Sequence, residues 1–205
     1  MLSYQTAATL AVALCEQLKP YCDRIHIAGS IRRHKADVKD IEIVCLPKSN
    51  PVKNLFGDVI GREIEGGFVT TVYGLDAHVL KGSTSGRYMQ LDYRFDDGRV
   101  NVDLFMPEAT DFIRQYVIRT GSSDYVTSRI AWAWKRKGWC GTPDGLRLQK
   151  DCVERKSSGK SIWTCPVVKP TLPPVWETEQ EFFEWLEVPF IHPSQRTIAV
   201  VSPLR

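Results

Sequence analysis

The side chains best suited to chemistry are acidic and stand at strand spacing. Asp40 and Glu42 flank Ile41, with Ile43 and Val44 following. Alternate side chains of an extended chain share a face, so the two carboxylates lie together while Ile41 and Ile43 point into a core. Like charges held side by side repel, and a multivalent cation relieves the repulsion. Oxygen-only ligation with open positions suits Mg²⁺, which keeps water and substrate phosphates among its ligands. Ten residues before Asp40, Gly29-Ser30 forms a turn between Ile27-Ala28 and Ile31-Arg32-Arg33. Such a turn can offer backbone N–H groups and a hydroxyl to phosphate oxygens. Arg32 and Arg33 either add charge there or form a solvated patch. A third acid, Asp103, lies in an apolar run where Val100, Val102 and Leu104 face one way and Asn101, Asp103 and Phe105 the other. An acid so placed is costly without a partner, and we read it as the third metal carboxylate. Together these residues are suited to hold a nucleoside triphosphate.

The elements that must position them follow from periodicity. Leu10, Leu14 and Leu18 recur every fourth residue beside Ala7 and Ala11, and Pro20 closes the pattern, predicting a helix over 3–19. Strands are expected at 24–28, delivering the Gly29-Ser30 turn, and at 40–46. Residues 47–62 read as loop with at most a helical turn. Further strands are expected at 68–73, 78–81, 87–95 and 99–106, the last two joined by a hairpin at Asp97-Gly98. Helices follow at 108–119 and 123–137, with Gly138 as the C-cap. Trp132, Trp134 and Trp139 fall in or near the second of these; core packing is favoured over base stacking for Trp132 and Trp139. Residues 143–175 carry short strands around a basic tip at 155–160. Thr178-Glu179-Gln180-Glu181 is a capping box opening a helix through Glu187, with Phe182, Phe183, Trp185 and Leu186 on its buried face.

The chain has 205 residues, 43% of them hydrophobic, enough for one domain or two small ones. Its net charge of +3 is unevenly spread: residues 1–107 hold 13 basic and 13 acidic side chains, whereas 112–169 hold 12 basic and 4 acidic. That local excess implies a polyanionic partner for the second half. The six cysteines are irregularly spaced without a Cys-x-x-Cys, which argues against a zinc site and a disulfide framework and for reduced thiols in an intracellular protein. The apolar run at 7–15 lacks a preceding basic region and is followed by Glu16, so secretion is not expected. No apolar run reaches the ~20 residues of a membrane span.

With Gly29-Ser30-Ile31-Arg32-Arg33, Asp40-Ile41-Glu42 and Asp103 in place, the chain resembles the DNA polymerase β-like family, family X. Its members carry Gly-Ser-x-Arg-Arg, Asp-x-Asp and a third Asp on a later strand. Thr120-Gly121-Ser122 looks like that family's turn into the thumb. Residues 135–138 are similar to its basic helix end, and 178–196 to its C-terminal Thr-Glu-x-Glu helix and Pro-x-x-Arg ending. The resemblance covers nearly the whole chain and implies an α+β fold. A nucleotidyltransferase palm at 1–107, a mixed sheet with helices on one face, would precede a small α/β thumb at 108–205. Without lobes before the palm, it is similar to the minimal palm-plus-thumb form of small viral members.

Carried over, the resemblance implies that Asp40, Glu42 and Asp103 are catalytic and hold two Mg²⁺ ions, Mn²⁺ being a possible substitute. Gly29, Ser30, Arg33, Arg119, Gly121 and Ser122 would contact the nucleotide. Lys135, Arg136, Lys137, Arg155, Lys156 and Lys160 would contact DNA, the basic tip either tracking a backbone or forming a solvated loop. Departures are Glu42 in place of Asp, Ile118-Arg119 in place of Tyr-Phe, Thr142-Pro143-Asp144 in place of a more polar stretch, and a longer segment at 150–175. The implied function is template-directed, DNA-directed DNA polymerisation at gaps or primer ends in DNA repair. The implied protein is a monomer, not membrane-bound, with gapped or primer-template DNA and dNTP as partners and a cytoplasmic or DNA-associated location. The alternatives are a template-independent nucleotidyltransferase acting on an RNA end, a protein or a small molecule, and a catalytically silent module binding nucleic-acid ends. The general base, Asp103 or water, stays open.

Overall fold

In the computed structural model, residues 1–96, 98–157 and 160–197 are described. The chain divides into two compact units, Met1–Thr120 and Gly121–Arg205. The expected boundary near Pro107 therefore moves to Thr120, because the helix after Pro107 packs with the first unit.

The first unit opens with β1 (Leu2–Ser3) and α1 (Tyr4–Leu18). The Ser3 side chain caps α1 by accepting the Thr6 N–H at 3.2 Å. Ala7, Ala11, Leu14 and Leu18 form its buried stripe, as their spacing predicts. Next come β2 (Cys22–Ile27), α2 (Gly29–Arg32), β3 (Asp37–Val38), which pairs with β1, and β4 (Asp40–Pro47). They are followed by β5 (Ser49–Lys53), β6 (Val59–Ile64), α3 (Gly66–Gly74), β7 (Ala77–Gly82), β8 (Tyr88–Phe95), β9 (Gly98–Phe105) and α4 (Phe112–Thr120).

Five strands form a mixed sheet in the order β2-β4-β9-β8-β7. Only β4 and β9 run parallel; the other neighbours are antiparallel. Ile41, Ile43, Cys45, Val102 and Leu104 pack from one face into a core completed by the α1 stripe and by Phe68 and Val72 of α3. On the other face Arg119 of α4 lies over the Phe105 ring, 4.0 Å from its centroid.

Two expectations are overturned here. Residues 47–62 are not a loop but the β5–β6 hairpin, closed by Asn54, whose Oδ1 accepts the N–H groups of Phe56 and Asp58, both at 2.9 Å. Most described side chains on this hairpin are exposed, so it carries no apolar alternation to read. The expected strand at 68–73 is helix α3. Its β-branched run favours strand, but Phe68 and Val72, four residues apart, bury against the core, and that packing overrides propensity. Asp97 lies outside the described residues, and Gly98 opens β9 paired with Phe95 rather than sitting in the turn.

In the second unit a helix runs through α5 (Ser123–Tyr125), a π-helical stretch (Val126–Ala131) and α6 (Trp132–Arg136). Gly138 follows at φ +78°, the left-handed geometry expected of a C-terminal stop. Two hairpins come next, β10 (Trp139–Thr142) with β11 (Gly145–Leu148), and β12 (Val153–Ser157) with β13 (Lys160–Thr164). Ser158 and Gly159 of the basic tip lie outside the described residues. Helix α7 (Glu179–Leu186) starts at Thr178, whose hydroxyl accepts the Glu181 N–H at 3.2 Å. The Glu181 carboxylate takes the Glu177 N–H rather than that of Thr178. Phe182 stacks on Trp185, Trp176 packs edge-on to Phe182 and tilted against Trp185, and Trp139 lies edge-on to Trp185. Of the two tryptophans expected in the core, Trp139 is half-buried against Trp185, whereas Trp132 is 37% exposed; Trp134 between them is buried.

Arg196 is completely buried. It pairs with Glu179 at 2.7 and 3.3 Å, donates from Nε to the Ile191 carbonyl at 2.8 Å, and lies against the Phe183 and Phe190 rings. All six cysteines are free thiols. Cys15, Cys22 and Cys45 lie near one another in the first unit, and Cys140, Cys152 and Cys165 in the second.

Candidate active site

The parallel pairing of β4 with β9 assembles the acidic group. Glu42 stands opposite Asp103, and Asp40 opposite Asn101. Because both strands alternate in the same sense, Asp40, Glu42 and Asp103 share one face. The Ala28 N–H donates to the Glu42 carbonyl at 2.8 Å and fastens the Gly29-Ser30 turn to β4.

Gly29 has φ +61°, and a Cβ on it would stand 2.1 Å from Glu42 Oε2. The longer acid folds over the glycine, and no other residue leaves it that space. Ser30 Oγ is buried with no hydrogen-bond partner among the described residues, as are Nε of Arg33 and Nε of Arg119. A buried, unpaired hydroxyl is costly unless a ligand completes it, and this one sits in the turn expected to meet phosphate. Arg33 donates from a terminal nitrogen to the Thr120 carbonyl at 2.6 Å. Arg32 donates to the Thr120 hydroxyl at 2.7 Å with its guanidinium over the Tyr116 ring. Both arginines thus tie α2 to α4 instead of forming a solvated patch.

The carboxylates feel one another. Burial, then the Asp40 charge, pushes the Glu42 carboxyl up to about 7, with Asp103 adding and Arg119 and Arg33 opposing. Asp40 is raised by burial and by Asp103. Burial holds Arg33 and Arg119 below the usual arginine range, partly offset by Glu42. Among the described residues no three His, Cys, Asp or Glu side chains converge closely enough to enclose an ion by themselves. The donor set still fits Mg²⁺ in kind: three hard oxygen donors on one face, with mutual repulsion that a cation would relieve and positions left for water and phosphate.

Sequence reasoning missed two side chains. Tyr88 donates its hydroxyl to Asp103 Oδ1 at 2.7 Å, and Gln90 donates its amide to the same oxygen at 2.9 Å. The signal was present: once Phe95 faces Gly98, counting back along the hairpin places Gln90 opposite Asp103.

Other nominated residues have structural duties. Ser122 caps α5, accepting the Tyr125 N–H at 3.3 Å. A Cβ on Gly121 would meet Tyr125 and Val126 side chains at 2.8 Å, so the glycine serves packing within its own unit. Lys135 and Arg136 are exposed at the end of α6, with Arg136 over the Trp132 ring. Lys137 is half-buried and pairs with Glu187 at 2.6 Å. Arg155 and Lys156 are exposed on β12, and the Lys160 backbone opens β13.

The fold is similar to that of a crystal structure of Leishmania infantum polymerase beta in a ternary P/T complex. The TM-score is 0.65 and the identity 16%, covering 95% of this chain and 76% of that one. The protein therefore has a polymerase β-like fold. No family model matches the sequence, and no curated protein matches it. Among the described residues no helix is long and apolar enough to cross a membrane.

Proposed function

We propose that this protein is a nucleotidyltransferase that adds deoxynucleotides to a primer 3′-OH under template direction, filling gaps in DNA during repair. The observation that carries the reading is the in-register placement of Glu42 opposite Asp103, with Asp40 two residues away on the same face. In this reading Asp40, Glu42 and Asp103 hold two Mg²⁺ ions, with Mn²⁺ able to substitute. When bound, the metal pair lowers the pKa of the attacking hydroxyl and stabilises the leaving pyrophosphate. The backbone at Gly29 and the unpaired Ser30 hydroxyl receive the outer phosphate oxygens, and Arg33, already anchored through Thr120, contributes charge beside them. No side chain needs to act as a covalent nucleophile. The exposed cations Lys135, Arg136, Arg155 and Lys156, together with Lys160, are assigned to the DNA backbone.

The test is extension of a labelled primer on a one-nucleotide-gapped duplex with each dNTP offered singly, in Mg²⁺ or Mn²⁺. The expected outcome is one added nucleotide, chosen by the templating base. Insertion indifferent to that base would replace the reading with template-independent transfer, and retained duplex binding without extension would replace it with a silent binding module. Asp103→Ala should lower transfer by at least about a hundredfold while leaving duplex binding within about twofold. Normal turnover in that variant would remove the metal assignment.

A further inference from the structure

Asp103 is buried at 9% exposure, and its two carboxylate oxygens are treated differently. Oδ1 accepts both the Tyr88 hydroxyl and the Gln90 amide, at 2.7 and 2.9 Å; among the described residues no hydrogen bond reaches Oδ2. The two donors come from one strand, two residues apart, and therefore from one face of β8. Gln90 is the direct backbone partner of Asp103, and Tyr88 pairs with Phe105, the next residue on the same face of β9. Ring packing fixes the Tyr88 hydroxyl, since the Tyr88 and Phe105 rings lie 5.2 Å apart in a tilted contact, with Arg119 over Phe105 at 4.0 Å. A carboxylate with one oxygen held by two donors cannot rotate without losing both bonds. Its second oxygen is aimed by default.

We propose that Tyr88 and Gln90 are positioning residues that hold Asp103 so that Oδ2 alone is presented to the catalytic metal. The inference rests on the nucleotidyltransferase reading and assigns the oxygen that does the ligating. Partners of this kind behind a metal ligand typically change metal affinity by about 10- to 100-fold when removed. Tyr88→Phe removes only the hydroxyl and keeps the ring on Phe105, and Gln90→Met keeps the length without the donor.

The measurement is Mn²⁺ binding to the nucleotide-free protein, followed by the electron paramagnetic resonance of free Mn²⁺, for wild type, both single variants, the double variant and Asp103→Asn. We expect each single variant to weaken Mn²⁺ binding and the double variant to weaken it about tenfold or more. Primer-extension kcat should fall at limiting metal and recover at saturating Mn²⁺, with KM for primer-template unchanged. Rescue by excess metal separates positioning from a general loss of structure, which added Mn²⁺ would not restore. Should the double variant fail to fold, the two single variants carry the test. Loss of binding in Asp103→Asn with wild-type binding in both single variants overturns this inference alone. Wild-type binding in Asp103→Asn overturns the metal assignment itself and with it the nucleotidyltransferase reading.

Discussion

A half-buried glutamate that titrates near neutrality alters how the protein responds to pH. Glu42 has a folded pKa of about 7 against an ordinary 4.5, chiefly through burial and the neighbouring Asp40 charge. Between these values the folded state retains a proton that the unfolded chain has released, so without metal stability falls as pH rises through this window. The loss amounts to up to about 3 kcal/mol and is complete above pH ~7. Thermal melts in chelator at pH 5 and pH 8 should show it, and Glu42→Gln should flatten the profile and melt higher than wild type at pH 8. Mg²⁺ should raise the wild-type melting temperature at pH 8 more than it raises that of the Gln variant. The Asp40–Glu42 pair was legible in the sequence because strand alternation puts both on one face, and alternation likewise set Asp103 off the apolar face of its own strand; that the three meet depends on the parallel pairing of β4 with β9. Tyr88 and Gln90 were not, since their role depends on which residues face one another across a hairpin whose register the sequence left open by one residue.

At the level of elements, the second unit depends on a charge buried at its far end. Arg196 reaches back to Glu179 at the start of α7, lies against the Phe183 and Phe190 rings, and accepts the Ser122 N–H through its carbonyl at 2.9 Å. Removing Arg196 takes from the largely buried Glu179 carboxylate its ion pair and empties a fully buried site, so Arg196→Ala should destabilise the second unit by about 3–5 kcal/mol in denaturant melts. Thr178→Ala, which removes only the cap of the same helix, should cost about 1 kcal/mol. The capping box announced where α7 begins, and leucines at fourfold spacing announced α1. The β5–β6 hairpin and α3 were misread for opposite reasons: one is largely solvated and shows no period, the other is built from strand-favouring residues held helical by what Phe68 and Val72 touch.

For the molecule as a whole, charge asymmetry is the relevant quantity. The basic excess at 112–169 includes the exposed Lys135, Arg136, Arg155 and Lys156, while Lys137 is paired with Glu187. If these cations meet phosphates, duplex affinity should fall steeply with salt, and each neutralised contact should reduce the log–log slope by about 1. Lys135→Gln and Arg155→Gln should each do so, whereas Lys137→Gln should leave the slope unchanged. Titrations at several salt concentrations decide the point, and a salt-insensitive affinity would remove the basic surface from the DNA interface.

The two groups of thiols also bear on how the protein can be labelled. Cys15 and Cys152 are pushed up to about 12, mainly by burial, and Cys22, Cys45 and Cys140 are buried. Alkylating reagents attack the thiolate, which at pH 7 is roughly one part in 10⁵ for such a group against a few per cent for a free cysteine. Cys165 is partly exposed and donates to the Asp151 carbonyl at 3.2 Å, which leaves its sulfur within reach of a reagent. With Cys165→Ser, a cysteine placed on the solvent face of β5 or β12 would take up a maleimide fluorophore ahead of the five natural thiols, giving a site-specific optical reporter on a chain rich in cysteine.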